Sequence, residues 1–502
     1  MRTTLDIAQG FYVSDALPIS AQQCINFYVS LPQTSTITDA NLFSTPGITS
    51  LINGVDGEKC RGAHVVANVP YFVINNNLVK LVRSVADGNE IFTKTVLGTI
   101  PGVQRVYMAD NGLQLCIVAI PDTATTGKSF IFTVSTSALV EITDSDFDGP
   151  ASSVVYAGGY FSFHKSDGKK FFNSNLNNGL AYDANDFNVA ESDPDQIRGQ
   201  GVLNDQLYVF GSETIQQFRA VGRVPAPFAP IVGSTIDLGV TAPQTIVKFG
   251  GGLCFVGAGV NESPAVWIVK GGQKKKISTN SIENEFSKLK IDTIPDQVFS
   301  WVYAESGAYW MGISLPGTCY VYDLVNERWH ERQSIDGSTL KRYRCTHMVN
   351  AYGRILLGDS QTGNIGALDE DLFTEYGILT PRSVTSRPFD NKGDAVNVAS
   401  IEAVVESGVG LSNDVTVLTG QTARGVITEG TGGADPQITL SWSDDGARIF
   451  YGHIPRSLGK IGEYNVRPTW SRLGVFPRNR VLRFTISSPT KSTIIKVEAD
   501  IG

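Results

Sequence analysis

Short runs of aromatic and β-branched residues return along this chain at a near-constant interval, which limits its possible folds more than any single motif does. Tyr71-Phe72-Val73-Ile74, Leu113-Gln114-Leu115-Cys116-Ile117-Val118, Tyr160-Phe161-Ser162-Phe163 and Leu207-Tyr208-Val209-Phe210 each read as a short strand. So do Leu253-Cys254-Phe255-Val256, Tyr309-Trp310-Met311-Gly312-Ile313 and Arg354-Ile355-Leu356-Leu357. Each stands near a Gly- or Asn-rich turn such as Asn75-Asn76-Asn77, Gly158-Gly159 or Gly250-Gly251-Gly252. The interval of roughly 43–55 residues is the length of one four-stranded propeller blade. A lone blade cannot bury both of its faces, so the pattern predicts an all-β chain with a β-propeller of about seven blades.

The boundaries follow from where the repeat stops. Residues 1–57 fall outside it and read as an N-terminal arm or first strand leading into the propeller, which occupies 58–396. Beyond residue 396 the texture changes to alternating strands such as Ile401-Glu402-Ala403-Val404-Val405-Glu406, and 397–502 is expected to form a C-terminal β-sandwich. One short inserted helix is expected at Asn280–Phe286, with Asn280 as its cap and Glu283 as the return half of a capping box.

Low charge content, 18%, and 51 glycines in 502 residues agree with many short strands and tight turns. The net charge of −8 argues against a generally basic nucleic-acid binder. No run approaches the roughly 18 apolar residues of a membrane span, and Met1-Arg2-Thr3-Thr4-Leu5-Asp6 lacks the apolar core of a signal peptide. The six cysteines are far apart and sit in apolar strand patterns, which predicts buried thiols rather than disulfides. Charge is unevenly placed: from Ala447 to Lys496 ten basic residues face the single acid Glu463, leaving −17 for the rest, so the propeller is expected to be acidic. Arg472, Arg478, Arg480 and Arg483 in that stretch, and Lys274, Lys275 and Lys276 in an apparent loop, are the candidate partner contacts, with a solvated face as the alternative.

Nothing in the sequence assembles a catalytic, cofactor or metal site. Asp144-Ser145-Asp146-Phe147-Asp148-Gly149 opens like an EF-hand loop, but the twelfth position is Val155, so an acidic turn is the simpler reading and a lone calcium loop the alternative. Ser443-Asp444-Asp445-Gly446 resembles the Asp-box of sialidase-like propellers only in part and reads as a hairpin turn. Tyr322-Asp323 with Trp329 resembles a kelch blade, once. The histidines (His64, His164, His330, His347, His453) are dispersed, with His330 expected at the surface or an interface, and no nucleophile motif accompanies them.

Several stretches together resemble the packaged-DNA stabilisation, or tail hub, proteins of short-tailed bacteriophages. These are Ala190-Glu191-Ser192-x-Pro194-Asp195, Phe210-Gly211-Ser212-x-Thr214-Ile215-x-x-Phe218, Pro264-x-Val266-x-Ile268 and Gly272-Gln273 with Ile277-x-Thr279-x-Ser281-Ile282-Glu283. Asn26 through Pro46-Gly47-Ile48 and Trp470-x-Arg472-Leu473-Gly474 are similar as well, so the resemblance runs nearly the whole chain. It implies a non-enzymatic virion protein of the tail, assembled in the host cytoplasm, forming a ring of six with itself below the portal or adaptor protein. That ring would continue the DNA channel, retain the genome without sequence-specific binding, and carry a needle or plug and the tailspikes. An acidic channel wall fits, because adhesion to phosphates comes mainly from Lys and Arg. The competing readings are a glycan-cleaving tail depolymerase, which needs a pair of converging carboxylates, and a kelch-like scaffold, which needs recurrent blade signatures.

Overall fold

The computed structural model describes residues 2–120, 127–165, 168–190, 195–390, 394–409 and 435–501. Strands dominate and the chain divides into two compact units, each discontinuous in sequence. One comprises 50–303 and 344–367, the other 1–49, 304–343 and 368–502.

The first unit is a six-bladed propeller. Five blades are four-stranded antiparallel sheets that run in chain order, beginning at Cys60–Val66, Val106–Asp110, Ser153–Ala157, Ile197–Leu203 and Gly239–Phe249. The sixth has three consecutive strands, Cys345–Ala351, Arg354–Asp359 and Ile365–Asp369, and takes its fourth, Gly47–Ile52, from before the first blade. Joining the two ends of the repeat in one sheet ties the sixth blade to the start of the propeller. The cores lie between blades, as expected of sheets that cannot cover their own faces. Val66, Tyr71 and Val73 of blade one pack with Val106, Leu115 and Phe132 of blade two. Cys60, Phe72 and Leu81 pack with Leu356, Ile365 and Ala367 of blade six. Gly62 fits the contact of blade one with blade two because a Cβ there would lie 2.3 Å from Cγ2 of Val106. Gly158-Gly159 turns the third blade's first hairpin with φ of +56° and +92°, where a side chain would be strained.

The expected blade count of seven is therefore one too high. The seventh cluster, Tyr309–Ile313, does form a strand, Ala308–Ser314, but it belongs to the second unit. Its meander does not end in a free outer edge: Arg328–Asp336 pairs in parallel with Ala21–Ile25 at Glu331 and Ile25. The repeat interval reports a four-strand meander, and what joins the meander's edge decides whether it is a blade.

A long sheet, in the second unit from Ala304 onwards, runs through Phe299–Glu305, Ala308–Ser314, Cys319–Asp323, Arg328–Asp336, Ala21–Ile25, Arg382–Thr385, Asn479–Ile486, Gln437–Ser443 and Tyr451–Ser457. A further sheet runs through Phe27–Ser30, Asn41–Ser44, Thr493–Ile501, Val396–Val405 and Thr469–Ser471. Phe27, Leu42, Val398, Leu440, Trp470, Phe476 and Phe484 share one core there, with Trp470 fully buried. Between Ala21–Ile25 and Phe27–Ser30 the chain passes from one sheet to the other at a single residue, Asn26, which is buried with φ of +57°. Its amide donates to the carbonyls of Gln333 (2.9 Å) and Pro381 (2.8 Å) and accepts from the N–H of Gln333 (2.9 Å).

Among the described residues the one α-helix, Asn280–Leu289, lies where the sequence places it but starts one residue early. Thr279 is the N-cap and makes no side-chain cap bond, and Glu283 instead accepts from the Ser278 hydroxyl (2.8 Å) and pairs with Lys276 (3.0 Å). The capping-box register fails because Glu283 stands four residues from the true cap. The Glu191–Pro194 part of one family-like stretch and the Gly/Thr-rich run 428–433 lie outside the described residues.

Asn26→Ala should destabilise the second unit by about 3 kcal/mol, since it strands two buried carbonyls and one N–H and keeps a left-handed backbone. Asn26→Asp should cost at least as much, because it sets carboxylate oxygens against those carbonyls. Urea midpoints of both variants against wild type measure this; a shift within error would show that water replaces the amide.

Candidate contact surfaces

The four C-terminal arginines divide into two inside and two outside. Arg480 is buried and fixed by a bidentate pair with Asp444 (2.6 and 2.7 Å), a bond to the Leu473 carbonyl (2.8 Å) and the ring of Phe476. Arg483 is half-buried, its guanidinium 3.5 Å from the Phe450 ring centroid, and desolvation lowers its pKa. Arg472 and Arg478 are exposed. They lie on either side of the short strand Val475–Phe476, which with Thr469–Ser471 lines the outer edge of Val396–Val405. Arg467, 77% exposed, begins the same row, and Arg456 joins it by donating Nε–H to the Thr469 carbonyl (2.8 Å).

Lys274, Lys275 and Lys276 are not in a loop. They form the strand Gln273–Lys276 at the outer edge of blade five, all exposed. A lysine-rich edge strand is a common guard against unwanted pairing. Lys274 caps the Asp237 carbonyl (2.8 Å) over the Trp267 ring, and Lys276 is held by Glu283.

An acidic patch escaped the reading of the sequence, although Asp369-Glu370-Asp371 is visible in it as a run. Glu370 and Asp369 act on Glu305 in the second unit, where desolvation, then Glu370, raise its pKa, the Arg332 cation lowers it and Asp369 raises it. The Ser306 hydroxyl donates to Glu370, and Asp369 accepts the Asp371 N–H (3.0 Å). Among the described residues none of the four carboxylates is in an ion pair. The propeller unit, expected to be acidic, holds 25 acidic and 22 basic residues and is nearly balanced. The acidity lies instead in the unit that also carries the arginine row.

The remaining motifs have structural roles. Asp144 accepts the N–H groups of Asp146 and Tyr182, and Asp148 is paired with Lys165 and Lys170, so the EF-like turn points its carboxylates at its own chain. Ser443 and Asp445 bind the turn N–H groups of Ala447 and Arg448 in a hairpin. Asp323 accepts from Val325 and Asn326 in the kelch-like turn, with Tyr322 and Trp329 paired at 5.0 Å. All six cysteines are buried and none forms a disulfide. His330, expected at a surface, is buried in the strand Arg328–Asp336, because that strand is interior to its sheet. Desolvation, then the Arg332 cation, holds its pKa far below the usual histidine range.

With these surfaces placed, the likeness to known proteins has a structural context. Family models for the bacteriophage P22 Gp10 β-propeller and β-sandwich match residues 3–373 and 388–502. The chain belongs to the P22 Gp10 family. A curated relative, the tail hub protein gp10 of Salmonella phage P22, is 25% identical over 228 residues, 44% of this chain and 47% of the relative. The chain thus spans about half the length of that Gp10 protein. A solved structure, the extracellular domain of BT4673 from B. thetaiotaomicron, aligns with 89% of this chain and 59% of its own at 11% identity and a TM-score of 0.41, too distant to carry fold or function.

Two outcomes follow for this member of the Gp10 family. Arg480→Ala should lower stability by about 3 kcal/mol, because it removes one partner of a half-enclosed ion pair, while Arg478→Ala should stay within about 0.5 kcal/mol. Denaturant midpoints of the two variants check the contrast. Buried His164, bonded to Ser153 (2.7 Å), has its pKa lowered by desolvation to about 4. Below the unfolded value of about 6.5 the unfolded chain takes up a proton that the folded chain refuses. Stability from this residue is therefore full above pH 6.5 and falls as pH drops towards 4. His164→Gln should flatten that part of the stability–pH curve measured by thermal melts.

Proposed function

We propose that this chain is a structural subunit of a short-tailed phage tail, which forms a ring below the portal and continues the channel through which the genome leaves. The observation that carries the reading is family membership along both parts of the chain, propeller and sandwich. Membership supports a phage tail structural protein located in the virion tail and built from several virion proteins. The ring of six copies, retention of packaged DNA, assembly in the host cytoplasm, and docking of portal or adaptor, needle and tailspikes belong to this proposal.

The architecture suits such a part. Cores placed between blades make the propeller a rigid disc, and rigid elements hold a shared axis better than loops do. Its near-neutral charge gives a passing duplex little to adhere to, since non-specific binding rises with each phosphate neutralised.

Purified protein mixed with its portal and viewed by negative-stain electron microscopy tests the reading. Rings seated on the portal are the expected result. Monodisperse monomers that do not bind the portal and that cleave host polysaccharide would replace it with the depolymerase reading.

A further inference from the structure

The second unit carries opposite charges at two separate places. The long sheet begins at Phe299–Glu305 and ends, at its ninth strand, at Tyr451–Ser457. At a spacing of about 4.8 Å per strand its edges stand roughly 38 Å apart. Glu305 ends the first of these strands and Ser306 follows it, and Glu370 and Asp371 project there into solvent. Arg456 stands on the far edge strand, and Arg467, Arg472 and Arg478 stand beside it along the edge of the other sheet. Three of them follow the line of Val396–Val405: Thr469 is opposite Glu402 and Phe476 opposite Val396. That is a row of about 20 Å. Among the described residues Arg456, Arg472 and Arg478 form no ion pair, and Arg467 pairs loosely with Glu402 at 3.8 Å and acts on Glu498 by charge.

The edge strand that carries Arg456 is closed to strand addition. Pro455 lacks an N–H, and Gly452 and His453 adopt positive φ (+94° and +50°) where the register with Gln437–Ser443 shifts. A bulge and a proline are what blunt an edge. Its backbone is further occupied by Trp470, whose indole N–H donates to the Ile454 carbonyl (2.8 Å). What remains for a partner is side-chain charge, and the complementary charge is on the same unit, at a separate place.

We propose that the arginine row of one copy docks on the carboxylate patch Glu305, Glu370 and Asp371 of a second copy of this chain. The contact is heterologous, head to tail, the kind that closes into a ring when the rotation allows. It rests on the reading of the chain as a ring-forming tail subunit and specifies which surfaces make the ring. Charge pairs at such a contact fix register and partner choice, and reversing them sets like charges together.

The test uses the full chain and exposed positions only. Variant one is Arg467→Glu, Arg472→Glu and Arg478→Glu; variant two is Glu370→Lys and Asp371→Lys. Circular dichroism first confirms that each is folded, and sedimentation velocity at low and high salt then reads self-association. Wild type should associate at low salt and weaken with added salt. Each variant alone should associate at least tenfold more weakly, and an equimolar mixture should recover association, because each variant supplies the surface the other needs. If wild type forms rings and both variants form them equally well, the contact is wrong while the ring reading stands. If wild type stays monomeric with and without its portal, both fall. If variant one loses only salt-sensitive binding to duplex DNA and associates normally, the row is a nucleic-acid contact and the proposal is overturned.

Discussion

The passage of the chain through Asn26 is the point on which the second unit depends. Five residues before it complete the long sheet between Arg328–Asp336 and Arg382–Thr385, and four residues after it start the other sheet. A change of sheet in one residue requires a left-handed backbone, which most side chains resist. It also strands peptide groups of the segments it crosses. An asparagine meets both needs, because its short amide tolerates that conformation and carries donor and acceptor together. The amide satisfies Gln333 twice and Pro381 once, so three segments far apart in sequence share one fixed corner. Twenty residues later the same N-terminal segment supplies Gly47–Ile52 to the sixth blade. Both sheet systems thus wait for the start of the chain to be completed.

That dependence explains which features were legible. The all-β class, the blades and the sandwich could be read because alternation and turn residues are local, and each blade's hairpins are consecutive. The family likeness was legible from ordered short motifs, Asn26 and the Pro46–Ile48 stretch among them. The blade count was not, because Ala308–Ser314 has the same local pattern as a blade strand and differs only in that its meander accepts Ala21–Ile25 at the edge. Pairing across some three hundred residues leaves no local mark. The helix was placed correctly and its cap misassigned by one residue, since Thr279 and Asn280 are both capping types and tertiary packing chooses between them.

Charge was legible as a sum and misleading as a location. Ten basic residues in fifty suggested one surface, yet Arg480 neutralises Asp444 inside the unit and Arg483 stacks on Phe450. Elsewhere Arg61 binds four backbone carbonyls, at 2.7 to 3.0 Å, and Arg344 is paired with Asp359 in a fully buried bridge. Guanidinium suits this use because its planar fork can satisfy several acceptors at once. A buried arginine and an exposed one are indistinguishable by composition. Local context separates them only partly: Arg480 and Arg483 lie within the strand Asn479–Ile486, while Arg472 and Arg478 flank short edge strands.

This division bears on what the sandwich can do. Cations fixed inside lend rigidity and leave no charge for a partner, whereas Arg467, Arg472 and Arg478 keep theirs exposed along the edge of Val396–Val405. A surface of that kind attracts by charge, so it discriminates between partners. The carboxylates beside Glu305 are the counterpart: Glu370 and Asp371 stand exposed, with like charge around them, where a cation can approach. A row of one sign and a patch of the other, fixed at separate places on one unit, give the unit a direction along which copies can add.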